Sequence, residues 1–209
     1  MITLKRFRRL EAAVRAAGYA NTIAWSEAIV APATSREFAE AAIYVVCNSG
    51  FRTSVALPVY QRCMVALDAG MSAGTVFGHP GKAAAIDAIW LAKDMLFETF
   101  NDAANKVAFC ATLPWVGPVT KFHLAKNLGV DVAKSDVHLA RLARADGTTA
   151  QELCAALARA TGYRIATIDT ILWRACETGI LDSARYEKLG WYRAFTGRHT
   201  LPIPTEVSG

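Results

Sequence analysis

One stretch, residues 105–144, constrains the fold of this 209-residue chain more than any other. Its apolar residues follow a helical spacing that stops at Pro114, because proline lacks the N–H that a helix needs. Gly117 is expected to take a backbone angle that other residues avoid, and Pro118 to occupy the first position of a new helix. That helix should end at Gly129. The stretch therefore predicts a helix, a tight hairpin and a second helix.

A further helix start follows the hairpin after a short loop. Ser135 and Asp136 are residue types whose side chains accept hydrogen bonds from the free N–H groups of a helix N-terminus. The positive end of the helix would also stabilise a negative charge on Asp136. Taken alone, Asp136 is best interpreted as a helix cap and Gly117 as a turn former.

Two motifs at a set separation alter that interpretation. The first consists of Leu113, Pro114, Val116, Gly117 and Thr120, and the second of Asp136, His138 and Arg141. The pair resembles the helix-hairpin-helix DNA glycosylase superfamily, which includes endonuclease III, MutY-type adenine glycosylases, 8-oxoguanine glycosylase and the inducible bacterial alkyladenine glycosylase. In that family L-P-G-V-G is followed by Thr or Val with Ala, and later by V-D-T-H and an Arg. Trp115 departs from the family glycine, and the resemblance extends over about residues 33–144.

The resemblance implies an all-α fold with two helical halves flanking a DNA-binding cleft, similar to endonuclease III. Residues 36–134 would form a six-helix, barrel-like domain that ends in the helix-hairpin-helix. Residues 1–35 and 135–209 would form the second helical domain. The helical spacing and abundant alanine independently predict an all-helical protein. A hydrophobic content of 53% with 20% charged residues excludes a disordered chain.

Outside the hairpin, the apolar spacing predicts helices over residues 1–18, 36–46, 53–67, 82–98, 150–161, 170–178 and 184–194. Residues 18–35 are predicted to form a less regular connection.

The hairpin is the expected contact with the DNA backbone. A helix N-terminus with free N–H groups suits a phosphate and reads no base. The residues implied by the resemblance are Leu113, Pro114, Trp115, Val116, Gly117, Val119 and Thr120. The family also holds Na⁺ or K⁺ on hairpin carbonyls, which implies those of Ala111, Leu113 and Val116 here. His138 and Arg141 would support the next helix and contact phosphate, with an ion pair as the alternative for Arg141.

The resemblance makes Asp136 the catalytic residue. Breaking a bond between base and sugar develops positive charge on the sugar, and a fixed carboxylate stabilises that charge or positions the attacking water. Bifunctional family members carry a lysine at the position of Val119, so we predict a monofunctional enzyme that leaves an abasic site. The nearby Lys121 should point elsewhere on the helix.

Extruding a base from the duplex leaves a gap that a protein side chain can fill. The candidates for this wedge and for the lesion pocket are Asn48, Arg52, Trp25, Tyr44 and Phe51. Asn48 is the nearest match to the family wedge, although Asn-Ser-Gly is also an ordinary turn. Core packing would explain Trp25 equally well.

In the family, MutY-type enzymes need a glutamate on the helix before the wedge to protonate adenine. No glutamate lies nearer to Asn48 than Glu40, so the resemblance disfavours an adenine-mispair enzyme. An alkylated purine is the first substrate predicted, because it already carries positive charge and leaves readily. Two alternatives stay open. One is a bifunctional oxidised-base glycosylase and lyase, of the 8-oxoguanine type, using Lys121. The other is a non-catalytic helix-hairpin-helix DNA-binding protein.

Composition adds supporting predictions. The formal charge of +5 suits a polyanionic partner, here double-stranded DNA with a damaged base.

The cysteines, predicted to be reduced and mostly buried, are Cys47, Cys63, Cys110, Cys154 and Cys176. They contain no C-x-x-C pair, so neither an iron–sulfur cluster nor another required cofactor is expected. No apolar run is long enough to span a membrane, and the basic N-terminus lacks a signal core. We therefore expect an intracellular monomer.

Overall fold

The computed structural model describes residues 1–51 and 53–198. Within these ranges the chain forms thirteen α-helices and no strand, apart from one isolated antiparallel bridge between Leu181 and Phe195. The predicted all-α class is thus confirmed. None of these helices combines the length and the apolar character that a membrane crossing requires.

The helices are α1 (Leu4–Val14), α2 (Ala20–Ala28), α3 (Ser35–Asn48), α4 (Thr53–Asp68), α5 (Pro80–Leu91), α6 (Lys93–Asp102), α7 (Lys106–Cys110), α8 (Thr120–Asn127), α9 (Val137–Ala145), α10 (Ala150–Thr161), α11 (Ile165–Glu177), α12 (Ser183–Leu189) and α13 (Trp191–Ala194). The chain divides into two compact units. The first unit contains Met1–Ile29 and the chain from Asp131 onward, and the second contains Val30–Val130.

Four of the predicted elements differ in the structure. The helix predicted over residues 170–178 begins at Ile165, and the helix predicted over residues 184–194 is two helices, which Gly190 separates at φ 75°. The connection predicted over residues 18–35 contains α2, because Gly18 turns the chain within a π-helical segment at φ 91° and helix resumes beyond it. Ile23 and Ser26 supply the buried face of α2. The single helix predicted over residues 82–98 is two helices, since Ala92 leaves helical geometry at ψ 8°. No glycine or proline marks that break.

The first unit is built around α11. Seven consecutive residues of this helix, from Ala166 to Leu172, are buried, so α11 is covered on all sides. Helices α1, α2, α9 and α10 pack against it. The largest fully buried side chains in this core are Phe7, Leu10, Ile23, Leu139 and Tyr186. Phe7, Leu10 and Val14 form the face of α1 that lies in this core.

A charged side chain, Glu11, is buried at the edge of the same core. Its carboxylate accepts hydrogen bonds from Tyr163 Oη at 2.7 Å, Arg8 Nη1 at 2.8 Å and Arg15 Nε at 3.1 Å. Burial alone would raise the pKa of the Glu11 carboxyl, but these hydrogen bonds outweigh it and hold the pKa below its usual value. The charge is therefore paired rather than isolated.

The second unit is built around α3, whose inward face is continuous along the helix. Phe38 contributes to an aromatic cluster, with ring centroids 5.5 Å from Phe100 and 6.3 Å from Phe109. Helices α4, α5, α6 and α8 pack against α3. This arrangement supports the hairpin, because α8 is the helix that follows it.

A buried lysine closes the C-terminal end of α3. Lys82 is only 3% exposed, and its Nζ donates to the carbonyl of Cys47 at 3.5 Å and to the carbonyl of Ser49. The ammonium group also lies 4.4 Å from the ring centroid of Phe51. Burial lowers the pKa of Lys82. Carbonyls that a helix end would leave open thus receive a hydrogen-bond donor from α5.

The five cysteines are all buried, and within the described ranges no disulfide joins any two of them. Burial raises the pKa of Cys110 to about 12, which keeps this thiol protonated at neutral pH.

Candidate functional site

The hairpin lies in the second unit and is anchored by two apolar side chains. Leu113 and Val116 are buried, and the N–H of Val116 donates to the carbonyl of Leu113 at 3.2 Å to close the turn. The N–H of Gly117 donates to Thr120 Oγ1 at 2.6 Å. Thr120 is the first residue of α8, so its hydroxyl fixes the turn to the start of that helix.

Two predicted details of the hairpin are wrong. The residue in the left-handed backbone region is Trp115, at φ 65°, and not Gly117. The turn requires a positive φ at the third position of L-P-x-V-G, and this chain places tryptophan there. Pro118 belongs to the turn, since α8 begins at Thr120 with Val119 as its N-cap.

The hairpin offers unengaged backbone groups. The N–H groups of Val119 and Thr120 have no acceptor in the described part of the chain, and no side chain caps α8. Val119 and Trp115, which belong to the same hairpin, are each 45% exposed. Free N–H groups at a helix N-terminus attract an anion, so this end of α8 can bind a phosphate.

The resemblance predicts that three hairpin carbonyls hold a monovalent cation. Within the described ranges the carbonyl oxygens of Ala111 and Val116 accept no hydrogen bond, whereas that of Leu113 accepts one from Val116. A carbonyl oxygen has two lone pairs, so Leu113 also retains capacity to bind a cation. Each of the three carbonyls could therefore accept a further contact, and the cation itself stays a prediction.

Asp136 lies in the first unit and caps α9. Its Oδ1 accepts hydrogen bonds from the N–H of His138 at 2.9 Å and from the N–H of Leu139 at 3.0 Å. The residue is half-buried. Its Oδ2 has no hydrogen bond or ion pair with any described residue. One oxygen is thus fixed by the helix and the other is available to a ligand.

His138 and Arg141 both connect α9 to α12. His138 Nδ1 lies 2.8 Å from the Oγ of Ser183, the first residue of α12. Arg141 Nε lies 4.0 Å from Oε2 of Glu187, with which Arg144 also pairs. These contacts agree with a supporting role for His138 and with the ion-pair alternative for Arg141. Phosphate contact by either residue stays a prediction.

A second aspartate, Asp182, has the same capping geometry, although it is not among the predicted site residues. Asp182 Oδ1 accepts from the N–H groups of Ala184 and Arg185, both at 3.0 Å. Burial, followed by the charges of Asp136 and Asp182, raises the pKa of the Cys176 thiol. The negative charges of both capping aspartates therefore lie near the Cys176 thiol in the first unit. The residue types of Asp182 and Ser183 indicate a helix cap. The packing of α12 against α9, some forty residues away in the chain, has no local signal in the sequence.

The wedge and pocket candidates differ in their surroundings. Asn48 ends α3, and its buried Oδ1 has no hydrogen-bond partner among the described residues. Phe51 is 44% exposed, so it is the more accessible side chain of this loop. Tyr44 is half-buried and meets Tyr60 edge-on at a centroid distance of 5.6 Å. Arg52 lies outside the described residues.

Trp25, the remaining pocket candidate, belongs to the first unit. It lies on α2 and is 59% exposed. The alternative of core packing is therefore wrong for this residue. An indole exposed to this degree suits contact with a partner or ligand.

Comparisons with family models, curated proteins and solved structures give no match for this chain. Its function is therefore inferred from the motif residues and their local geometry.

Proposed function

We propose that this protein is a monofunctional DNA glycosylase, which hydrolyses the bond between a damaged base and its deoxyribose in duplex DNA. An alkylated purine is the first substrate to test. The observation that carries the proposal is the Asp136 carboxylate, held by two helix N–H groups through one oxygen and unengaged at the other. This carboxylate follows the L-P-x-V-G hairpin in the chain, at a separation similar to that in the helix-hairpin-helix glycosylases.

The proposed reaction depends on the fixed negative charge of the Asp136 carboxylate. The bond from C1′ of the sugar to the base nitrogen breaks, and its electron pair leaves with the base. Positive charge then develops on C1′ and on the ring oxygen of the sugar. The free oxygen of Asp136 stabilises that charge and orients a water molecule, whose oxygen bonds to C1′ as its proton passes to solvent or the carboxylate. Such preorganised stabilisation contributes about 10²–10³-fold in rate.

An alkylated purine suits this arrangement because it already carries positive charge and leaves as a neutral base. Little acid catalysis is then required, and aromatic rings attract the cationic base. Trp25 and Phe51 are the exposed aromatic candidates for that role.

The absence of a nucleophilic amine at the hairpin supports water as the attacking group. Val119 stands where a lyase would carry lysine. The nearest amine in sequence, Lys121 Nζ, lies 5.2 Å from the ring centroid of Phe122. The enzyme would accordingly release the base and leave the strand intact.

The hairpin would bind the DNA backbone. The N–H groups of Val119 and Thr120 would contact phosphate. A Na⁺ or K⁺ ion bound by the carbonyls of Ala111, Leu113 and Val116 would supply positive charge beside that phosphate. The formal charge of +5 would strengthen binding at low salt.

A panel of duplexes with single lesions tests the proposal under single-turnover conditions, with alkaline cleavage reporting abasic sites. The wild type should release at least one damaged base, whereas Asp136→Asn should release none at a comparable rate. Equal release by both proteins would contradict the assignment of Asp136. DNA binding without release of any base would favour the non-catalytic alternative. Trapping of a covalent complex by borohydride would favour the lyase alternative with Lys121.

A further inference from the structure

Trp115 has a backbone conformation that its residue type avoids. Its φ of 65° is the only positive value among the described residues other than glycine. A side chain in this region brings its Cβ close to the following carbonyl, a contact that glycine does not make. The residue is also 45% exposed, so nearly half of its surface stays accessible to a ligand. Such backbone strain is found preferentially at functional sites.

Two neighbours hold the indole ring in place. His79 meets it edge-on, with ring centroids 5.0 Å apart and planes at 80°. Gly81 lies against it, because a Cβ added there would come 2.6 Å from Cζ3 of Trp115. Gly81 is in the first turn of α5, where glycine disfavours helix. The position of the ring therefore depends on two residues that their local backbone disfavours: tryptophan at a positive φ and glycine within a helix.

The ring shares its hairpin with the unengaged N–H groups of Val119 and Thr120. A nucleotide has both chemistries that such a surface would bind: a phosphate for the amides and an apolar sugar or base for the ring. We infer that Trp115 is a preset contact for the apolar part of a nucleotide, so that the hairpin binds DNA through an uncharged contact besides its phosphate contact. The inference rests on the proposed function, since it requires that the hairpin binds DNA.

Trp115→Gly tests the inference through binding to a short undamaged duplex, measured by fluorescence anisotropy over a series of salt concentrations. Affinity should fall about tenfold at every salt concentration, because aromatic contacts with nucleotides are uncharged. The slope of log K against log salt should not change, because no phosphate contact is removed. Glycine tolerates the positive φ, and a thermal unfolding curve confirms that the variant is folded.

Gly81→Ala leaves Trp115 in the chain but displaces its ring, and so tests the preset position. It should weaken binding in the wild-type background and have no effect on binding in the Trp115→Gly background. Unchanged affinity of Trp115→Gly, an altered salt slope, or equal weakening by Gly81→Ala in both backgrounds would overturn the inference alone. A wild-type protein that binds no duplex would overturn the proposed function as well.

Discussion

Asp136 has two roles, as a helix cap and as the proposed catalytic charge. Substitutions to alanine and to asparagine distinguish these roles. Asp136→Ala removes the acceptor of two hydrogen bonds, at 2.9 and 3.0 Å, that satisfy the first turn of α9. Loss of such a cap typically costs ~1 kcal/mol, and the half-buried position allows water to replace part of it. Asp136→Asn keeps an oxygen acceptor, so its cost should be only a few tenths of a kcal/mol.

The expected size is measurable by urea unfolding followed through the helical signal. A loss of ~1 kcal/mol lowers the ratio of folded to unfolded protein about fivefold. With a denaturant slope of roughly 2 kcal/mol/M, the midpoint moves by about 0.5 M. Asp136→Asn should leave the midpoint almost unchanged while reducing base release by about 10²–10³-fold, because the amide carries no charge.

Asp182 is the matched control, since it caps α12 through the same pair of hydrogen bonds, both at 3.0 Å. Asp182→Ala should shift the urea midpoint as Asp136→Ala does, and Asp182→Asn should leave base release intact. The reasoning is refuted if Asp136→Asn releases the base at the wild-type rate, because the carboxylate would then be a cap only. It is also refuted if Asp182→Ala is destabilising and Asp136→Ala is not.

Other substitutions test the core, the charges and the chemistry. Glu11→Gln should reduce stability by ~2 kcal/mol at pH 7, and less near pH 3. The lowered pKa of Glu11 gives stability that is present above the unfolded pKa near 4.5 and is lost as pH falls through the folded value. Urea midpoints against pH measure this, with the exposed Glu98→Gln as a control that should show no such change. Phe38→Ala should destabilise the second unit by ~3–5 kcal/mol, since the fully buried ring would leave a cavity; a conservative Phe38→Leu should cost distinctly less. Val119→Lys places an amine at an exposed hairpin position and should give a borohydride-trapped complex with lesion DNA; no trapping despite normal base release would contradict that placement.

Helix caps are the feature of the fold that residue type indicates most directly. Thr34, Asp136 and Thr149 all accept hydrogen bonds at helix starts, as their residue types indicate. Capping is a local interaction between a side chain and amides two or three residues away. The residue type and its place before an apolar run therefore contain most of the information needed.

Other features depend on contacts that sequence spacing does not encode. Trp115 takes the positive φ expected of Gly117, because the chain keeps the turn despite lacking glycine at its third position. The burial of Lys82 follows from the packing of α5 against the end of α3, and a lysine in a helix ordinarily predicts a solvated charge. The pairing of α9 with α12 likewise places Asp182 near the region of Asp136, which no local pattern indicates.

The position of Lys82 makes this amine a natural reporter of motion. Its Nζ donates hydrogen bonds to the carbonyls of Cys47 and Ser49. An acylating reagent would reach the nitrogen only when these two hydrogen bonds break. The rate of labelling at Lys82, compared with an exposed lysine such as Lys188, would therefore count those opening events and show whether bound DNA suppresses them.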